Sequence, residues 1–302
     1  MTPELDQWSR RGEFLESTLS GHRVFCIRWG DPAALPGDTL LILHGFPESS
    51  YSFHKVIEGL AERFGQVVLF DMLGYGLSDK PVENYGYSLF EQADLALQVW
   101  RQLGVTGGHL LAHDMGDSVA TELAARQVGG TLPGWFRDGF GSFTFTNGSM
   151  VLALARLRVS QRLLLSRFGP RFGRMFNFRV FSQQVRSAHG AEGLDDKDLE
   201  LLWDNICQNG GQFKNYLTIR YLLDRRRFEK TRWLPSLARV GEPIHLCWGE
   251  ADAVARVEMA HYLKANVCTG ARVTLMPGVG HFCQLSDPEI WLQSVLAFYD
   301  DE

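Results

Sequence analysis

One acid stands where a strand turns into a helix. In the stretch HLLAHDMGDSVATELAAR (109–126), His109–His113 is apolar enough for a short buried strand and Ser118–Arg126 is periodic enough for a helix, so Asp114–Asp117 forms the turn between them. Ala112 and Gly116 flank Asp114 at two residues' distance on either side. Small residues there let strand and helix close on each other while the side chain between them is forced outward, the geometry of a nucleophile elbow. Taken alone, an Asp in such a place is more often an N-cap.

Four further motifs surround that acid in the sequence. LLILHGFPESSYSF (40–53) is an apolar strand ending in His44-Gly45-Phe46-Pro47, and the amides of Phe46 and Met115 would make a two-donor oxyanion site. FDMLGYGLSDKP (70–81) is a strand followed by a glycine-rich turn. CWGEADAV (247–254) places Asp252 just past a strand end, and MPGVGHFCQLSDP (276–288) places His281 after another. The order Asp114, Asp252, His281 is the nucleophile–acid–base order of a hydrolase triad, each member at the carboxyl end of a strand.

On these residues the chain resembles the α/β-hydrolase fold proteins of the epoxide hydrolase and haloalkane dehalogenase branch, over about Gly21 to Phe298, and AHDMGD resembles the variant of the mesoderm-specific-transcript group. Epoxide hydrolases usually carry Trp and then Gly-Gly after the nucleophile, where this chain has Met115 and Gly116-Asp117. The resemblance implies a mostly parallel central sheet flanked by helices, with an inserted helical cap.

An aspartate is ionised at neutral pH, with an ordinary pKa of about 3.9, and attacks without a base removing its proton. Attack on an ester would give a reactive anhydride, whereas attack on a saturated carbon gives an alkyl ester, which favours epoxides or alkyl halides. The reading is an epoxide hydrolase: Asp114 forms an alkyl ester, and His281, oriented by Asp252, activates the water that cleaves it. The alternatives are a haloalkane dehalogenase with the same triad and a non-catalytic binding protein. An epoxide oxygen needs an O–H donor, supplied by a cap tyrosine. Tyr216 and Tyr221 lie about 140° apart on a helix, and Tyr221 is chosen because YLLDRR resembles the stretch that carries a cap tyrosine in epoxide hydrolases. His44, Tyr216, Asn147, Trp203 and Phe282 are candidates for the substrate pocket, with Trp203 able to serve a halide. Asp117 is expected in the first helical turn, where its charge suits the dipole.

The elements that must position these groups are short apolar runs at 23–29, 39–44, 66–71, 109–114, 142–147, 243–249 and 272–277, several of them separated by helical stretches such as 88–104. Runs this short and apolar suit strands covered on both faces of a parallel sheet. Between about Ser149 and Pro235 the alternation stops, giving a core of 1–148 and 236–302 and a helical cap of 149–235. From Gly139 to Ala191 that region has eight arginines and no acid, the mark of a solvated helix face over a pocket or of a membrane-surface helix.

The 302 residues are 45% hydrophobic, enough for a sizeable core. A net charge of −5 argues against nucleic acid as partner. Five scattered cysteines with no Cys-x-x-Cys pair suggest neither a disulfide framework nor a zinc site. No apolar run has signal-peptide or membrane-span character, so the expectation is a cytoplasmic monomer or homodimer that needs no cofactor or metal and acts on a small apolar molecule.

Overall fold

The computed structural model describes residues 1–155, 159–190 and 193–300. Eight strands form one sheet: β1 (Glu13–Glu16), β2 (Arg23–Gly30), β3 (Thr39–Leu43), β4 (Gln66–Phe70), β5 (Gly107–His113), β6 (Gly139–Thr146), β7 (Ile244–Gly249) and β8 (Arg272–Met276), in the order β1-β2-β4-β3-β5-β6-β7-β8. β1 and β2 are antiparallel to their neighbours; every pairing from β4 onward is parallel. Every residue of β3 and β4 is buried, as strands with helices on both faces require.

α1 (Pro3–Ser9) precedes the sheet, and α2 (Ile57–Arg63), α3 (Leu89–Gln102) and α4 (Met115–Val128) follow within its first half. α3 begins on a capping box: the Ser88 hydroxyl accepts from Glu91 N–H while the Glu91 carboxylate accepts from Ser88 N–H. Between β6 and β7 the described residues contain no strand. They form α5 (Val159–Leu164), α6 (Gly169–Gly173), α7 (Phe178–His189), α8 (Asp196–Cys207), α9 (Asn215–Thr218), α10 (Tyr221–Phe228) and α11 (Leu234–Leu237). α12 (Glu258–Asn266), α13 (Cys283–Ser286) and α14 (Pro288–Asp300) complete the chain.

Two apolar clusters cover the two faces of the sheet. One holds Leu41, Leu43, Val68, Phe70, Leu110 and Ala112; the alternate side chains Leu40, Ile42, Val67, Leu69 and Leu111 belong to the other. A third cluster joins Phe181 and Val185 of α7 and Leu199 and Leu202 of α8 to Phe282 beside His281. The described arginines of the basic stretch, at 162, 167, 171, 174, 179 and 186, are exposed, while Phe181 and Val185 face a cavity. The five cysteines are free thiols. Among the described residues no helix is long and apolar enough to cross a membrane.

One strand escapes the periodicity. β1, Glu-Phe-Leu-Glu, is an edge strand with no fully buried residue, so it carries no run of apolar positions to betray it.

Candidate active site

Asp114 sits at the end of β5 with φ 48° and ψ −107°, outside the regions favoured by L residues. Its neighbours show what permits this. A Cβ on Gly116 would lie 2.4 Å from the Leu43 carbonyl oxygen and 2.7 Å from that of His44, and one on Gly45 would lie 2.8 Å from the Asp114 Cβ. The β3 and β5 ends therefore approach so closely that only glycine fits at both places. Phe46 N–H donates to Asp114 Oδ2 at 3.0 Å, and the amide of Met115, first residue of α4, has no partner within its helix.

His281 faces this carboxylate from the loop after β8. Its Nε2 lies 3.8 Å from Asp114 Oδ1, and its Nδ1 is 2.7 Å from Asp252 Oδ2. Asp252 is held in turn on both oxygens: Oδ1 accepts from Val254 N–H (2.6 Å) and Ala255 N–H (2.9 Å), and Oδ2 accepts from the Asn147 side-chain amide (2.7 Å). Burial opposes charge on Asp252, yet His281 and these donors hold its carboxyl below the usual range. For His281, burial favours the neutral ring, but Asp252, then Asp114 and Glu48, outweigh it and raise the pKa to about 9.

Glu48 is a buried carboxylate behind the histidine. It accepts from the Gln284 amide at 3.1 Å and lies 3.5 Å from His113 Nε2. Desolvation disfavours its charge, and His113 and His281 more than compensate, so its pKa is lowered. The other ring nitrogen of His113 sits 3.0 Å from the Thr146 carbonyl. From the helical segment, His189 reaches the same loop: its carbonyl accepts from His281 N–H (3.0 Å) and its Nδ1 from Phe282 N–H (3.2 Å).

These groups open onto a cavity of about 90 Å³ lined by Asp114, His281 and Phe46 from the sheet side and by Phe181, Tyr221 and Arg225 from the helices. Phe282 lines it as well. Tyr221 is buried, and desolvation together with the charge of Asp114 raises its phenol above the ordinary value. Arg225, four residues on, is 1% exposed. Its Nε donates to Ser118 Oγ (2.6 Å), its Nη2 to the Asp114 carbonyl (3.3 Å), and its guanidinium lies 4.8 Å from the Tyr221 ring centre. Among the described residues no group of three or more His, Cys, Asp or Glu is placed to hold a metal ion.

Four pocket candidates lie elsewhere. His44 is buried with both ring nitrogens engaged, Nδ1 with the Gly45 carbonyl (2.8 Å) and Nε2 as acceptor from Met72 N–H (2.9 Å), so it braces the loop rather than lining the cavity. Tyr216 does not line the cavity; its side chain packs beside Gly169 and Gly173 of α6. Trp203 packs at tilted angles against Phe176, Phe178 and Phe181 and does not line the cavity. Asn147, at φ 52°, spans Asp252 and Gly249 N–H instead of meeting a substrate. Asp117 does occupy the first turn of α4, but it is wholly buried with one oxygen accepting from Thr146 N–H (3.3 Å). Burial raises its pKa well above the ordinary value, opposing the charge that its place in the first turn would favour.

A family model described as alpha/beta hydrolase fold matches residues 38–288. LipZ of Mycobacterium tuberculosis, named a hydrolase, is 35% identical, with 99% of each chain covered. The mesoderm-specific transcript homolog protein of Homo sapiens is 32% identical over 99% of this chain and 88% of its own length, and epoxide hydrolase 4 of Mus musculus is 28% identical over 95% and 78%. The solved structure of a haloalkane dehalogenase variant from Bradyrhizobium elkanii superposes with a TM-score of 0.72 at 19% identity, covering 96% of this chain and 97% of that one. By its sheet, its elbow and these similarities, the chain belongs to the alpha/beta hydrolase fold family and is similar to proteins named as hydrolases.

Proposed function

We propose that the protein is an epoxide hydrolase that opens an apolar epoxide to a diol through an alkyl ester on Asp114, with residues 149–235 acting as a lid over the cavity. The observation that carries this reading is the aspartate at the strained elbow, with one oxygen on Phe46 N–H and the other 3.8 Å from His281. Its similarity to epoxide hydrolase 4 agrees with it.

In the first step Asp114 displaces the epoxide oxygen at carbon, and Tyr221 gives that oxygen a proton. Alkylation removes the charge of Asp114, one of the causes that raise the pKa of His281, so the imidazolium gives up its proton, balancing the one lost by Tyr221. Neutral His281 then takes a proton from water, and hydroxide attacks the ester carbonyl while the Phe46 and Met115 amides hold the oxyanion. Collapse releases the diol and restores carboxylate, imidazolium and phenol. Asn147 and Asp252 are positioning residues that hold His281.

The cavity favours an epoxide over a haloalkane. Among its described lining residues none is a tryptophan, the donor suited to a leaving halide, whereas Tyr221 is there for an oxygen. Purified protein should convert styrene oxide to its diol and release no bromide from 1-bromobutane, and Asp114→Asn should lower turnover at least 10³-fold on the scale of losing a covalent nucleophile. Bromide release without diol formation would assign a dehalogenase; turnover surviving in Asp114→Asn would remove the covalent route.

A further inference from the structure

Arg225 is a buried cation that the mechanism leaves unused. Among the described residues no carboxylate lies within 4.0 Å of it, and its two bonds go to a hydroxyl and a carbonyl, on Nε and Nη2. Nη1 has no protein acceptor there, and it is not among the buried polar atoms sealed from solvent without a partner. The residue as a whole lines the cavity, one helical turn from Tyr221 and against the backbone of Asp114 itself. A desolvated guanidinium is costly unless acceptors meet its donors, so a cavity that keeps a pair of its N–H groups open suits a ligand bringing an oxygen. Of the other lining residues, Phe46, Phe176, Phe181, Leu222 and Phe282 suit an apolar body, with polar side chains such as Ser149 and Asn215 between them.

We propose that Arg225 is a substrate-recognition subsite for an sp² oxygen, carboxylate or carbonyl, attached next to the carbon that Asp114 attacks. The preferred substrates are then glycidic acids, esters or amides with an apolar tail rather than pure hydrocarbon epoxides. This rests on the epoxide reading for the reaction but not for the binding.

The test measures binding by calorimetry at pH 7 to Asp114→Asn protein, where no ester can form, using cinnamate, cinnamamide and trans-β-methylstyrene. Cinnamate or cinnamamide should bind at least tenfold tighter than the hydrocarbon, and that advantage should fall to within twofold when Arg225→Met is added. Tighter cinnamate names the acid as the substrate's group; tighter cinnamamide names the neutral carbonyl. Equal binding of all three, or a preference that survives Arg225→Met, overturns the subsite. Should the methionine variant fail to fold, Arg225→Lys carries the test: it keeps charge but loses the fork, and the advantage should shrink at least threefold, an unchanged advantage overturning the proposal. The corresponding epoxides are then offered to the otherwise unaltered protein. No turnover with the binding preference intact overturns the epoxide reading and leaves the subsite standing; turnover without the preference does the reverse.

Discussion

At the residue scale, the chemistry depends on how many partners each charged group has. Asp252 has four, and three come from outside the imidazole: two loop amides and Asn147. Removing the Asn147 bond leaves the pair intact but loosens the oxygen that faces His281. Asn147→Ala should therefore slow ester hydrolysis by about tenfold while leaving the alkylation burst in place, the scale of an outer-shell loss at a comparable site; single-turnover kinetics separate the two steps. The pH profile follows from His281. Protonated, it cannot take a proton from water, and its resting pKa is about 9 through Asp252, Asp114 and Glu48 despite burial. Esterification of Asp114 removes one of those charges, so the hydrolysis step should rise with pH through a pKa below 9. A rate falling over pH 6–8, followed by stopped flow on the preformed ester, would contradict this. Asp114, Asp252 and His281 were legible as a group because each follows an apolar strand end. Glu48, His113 and Arg225 were not: their contacts span 65, 65 and 111 positions of chain, and a buried glutamate or arginine looks in sequence like any surface charge.

At the element scale, the elbow is a steric device. β5 and β3 run parallel in register through Leu43↔Ala112, and the chain must then reverse into α4 within contact distance of the Leu43 and His44 carbonyls. Gly116→Ala puts a methyl 2.4 Å from backbone, which no flexible side chain can relieve. The expected cost is about 1–3 kcal/mol with loss of most activity; thermal unfolding and turnover measure both, and a variant of native stability and rate would show that the elbow has room to relax. The strand-turn-helix pattern and the small residues about Asp114 made this element readable from sequence. What they could not reveal was the fate of Asp117, because the helical position was right while its burial depends on Gly148, whose missing side chain leaves the space the carboxyl occupies. Tyr216 and Tyr221 show the converse: the sequence set them about 140° apart on one helix, but they fall on two, α9 and α10, and packing beside α6 is what keeps Tyr216 out of the cavity.

At the scale of the whole molecule, one of the joints between the helical segment and the core is a buried carboxylate on α4. Glu122 of α4 accepts from Arg232 (2.7 and 2.9 Å), from Trp233 Nε1 (2.9 Å) and from Arg126 (2.9 Å). Burial opposes its charge, but those donors lower its pKa below the ordinary glutamate value. The sign is then set: its contribution to stability is present above the unfolded pKa of about 4.3 and is lost as pH falls through the folded value. Glu122→Gln should melt several degrees lower at pH 7, with the difference from the unaltered protein shrinking below pH 4; a difference independent of pH would assign the effect to packing. The alternation of strands and helices, and the stretch where it stops, were plain in the sequence because they rest on periodicity. The joint at Glu122 was not, since it depends on where two distant helices meet.

The proposed reaction turns on an oxygen of Asp114 becoming bonded to substrate carbon. One turnover in ¹⁸O-water, followed by mass analysis of the peptide containing Asp114, tests it directly. The heavy oxygen should enter that carboxylate while the first diol formed carries none. Label appearing in the first diol, with an unlabelled peptide, would contradict it.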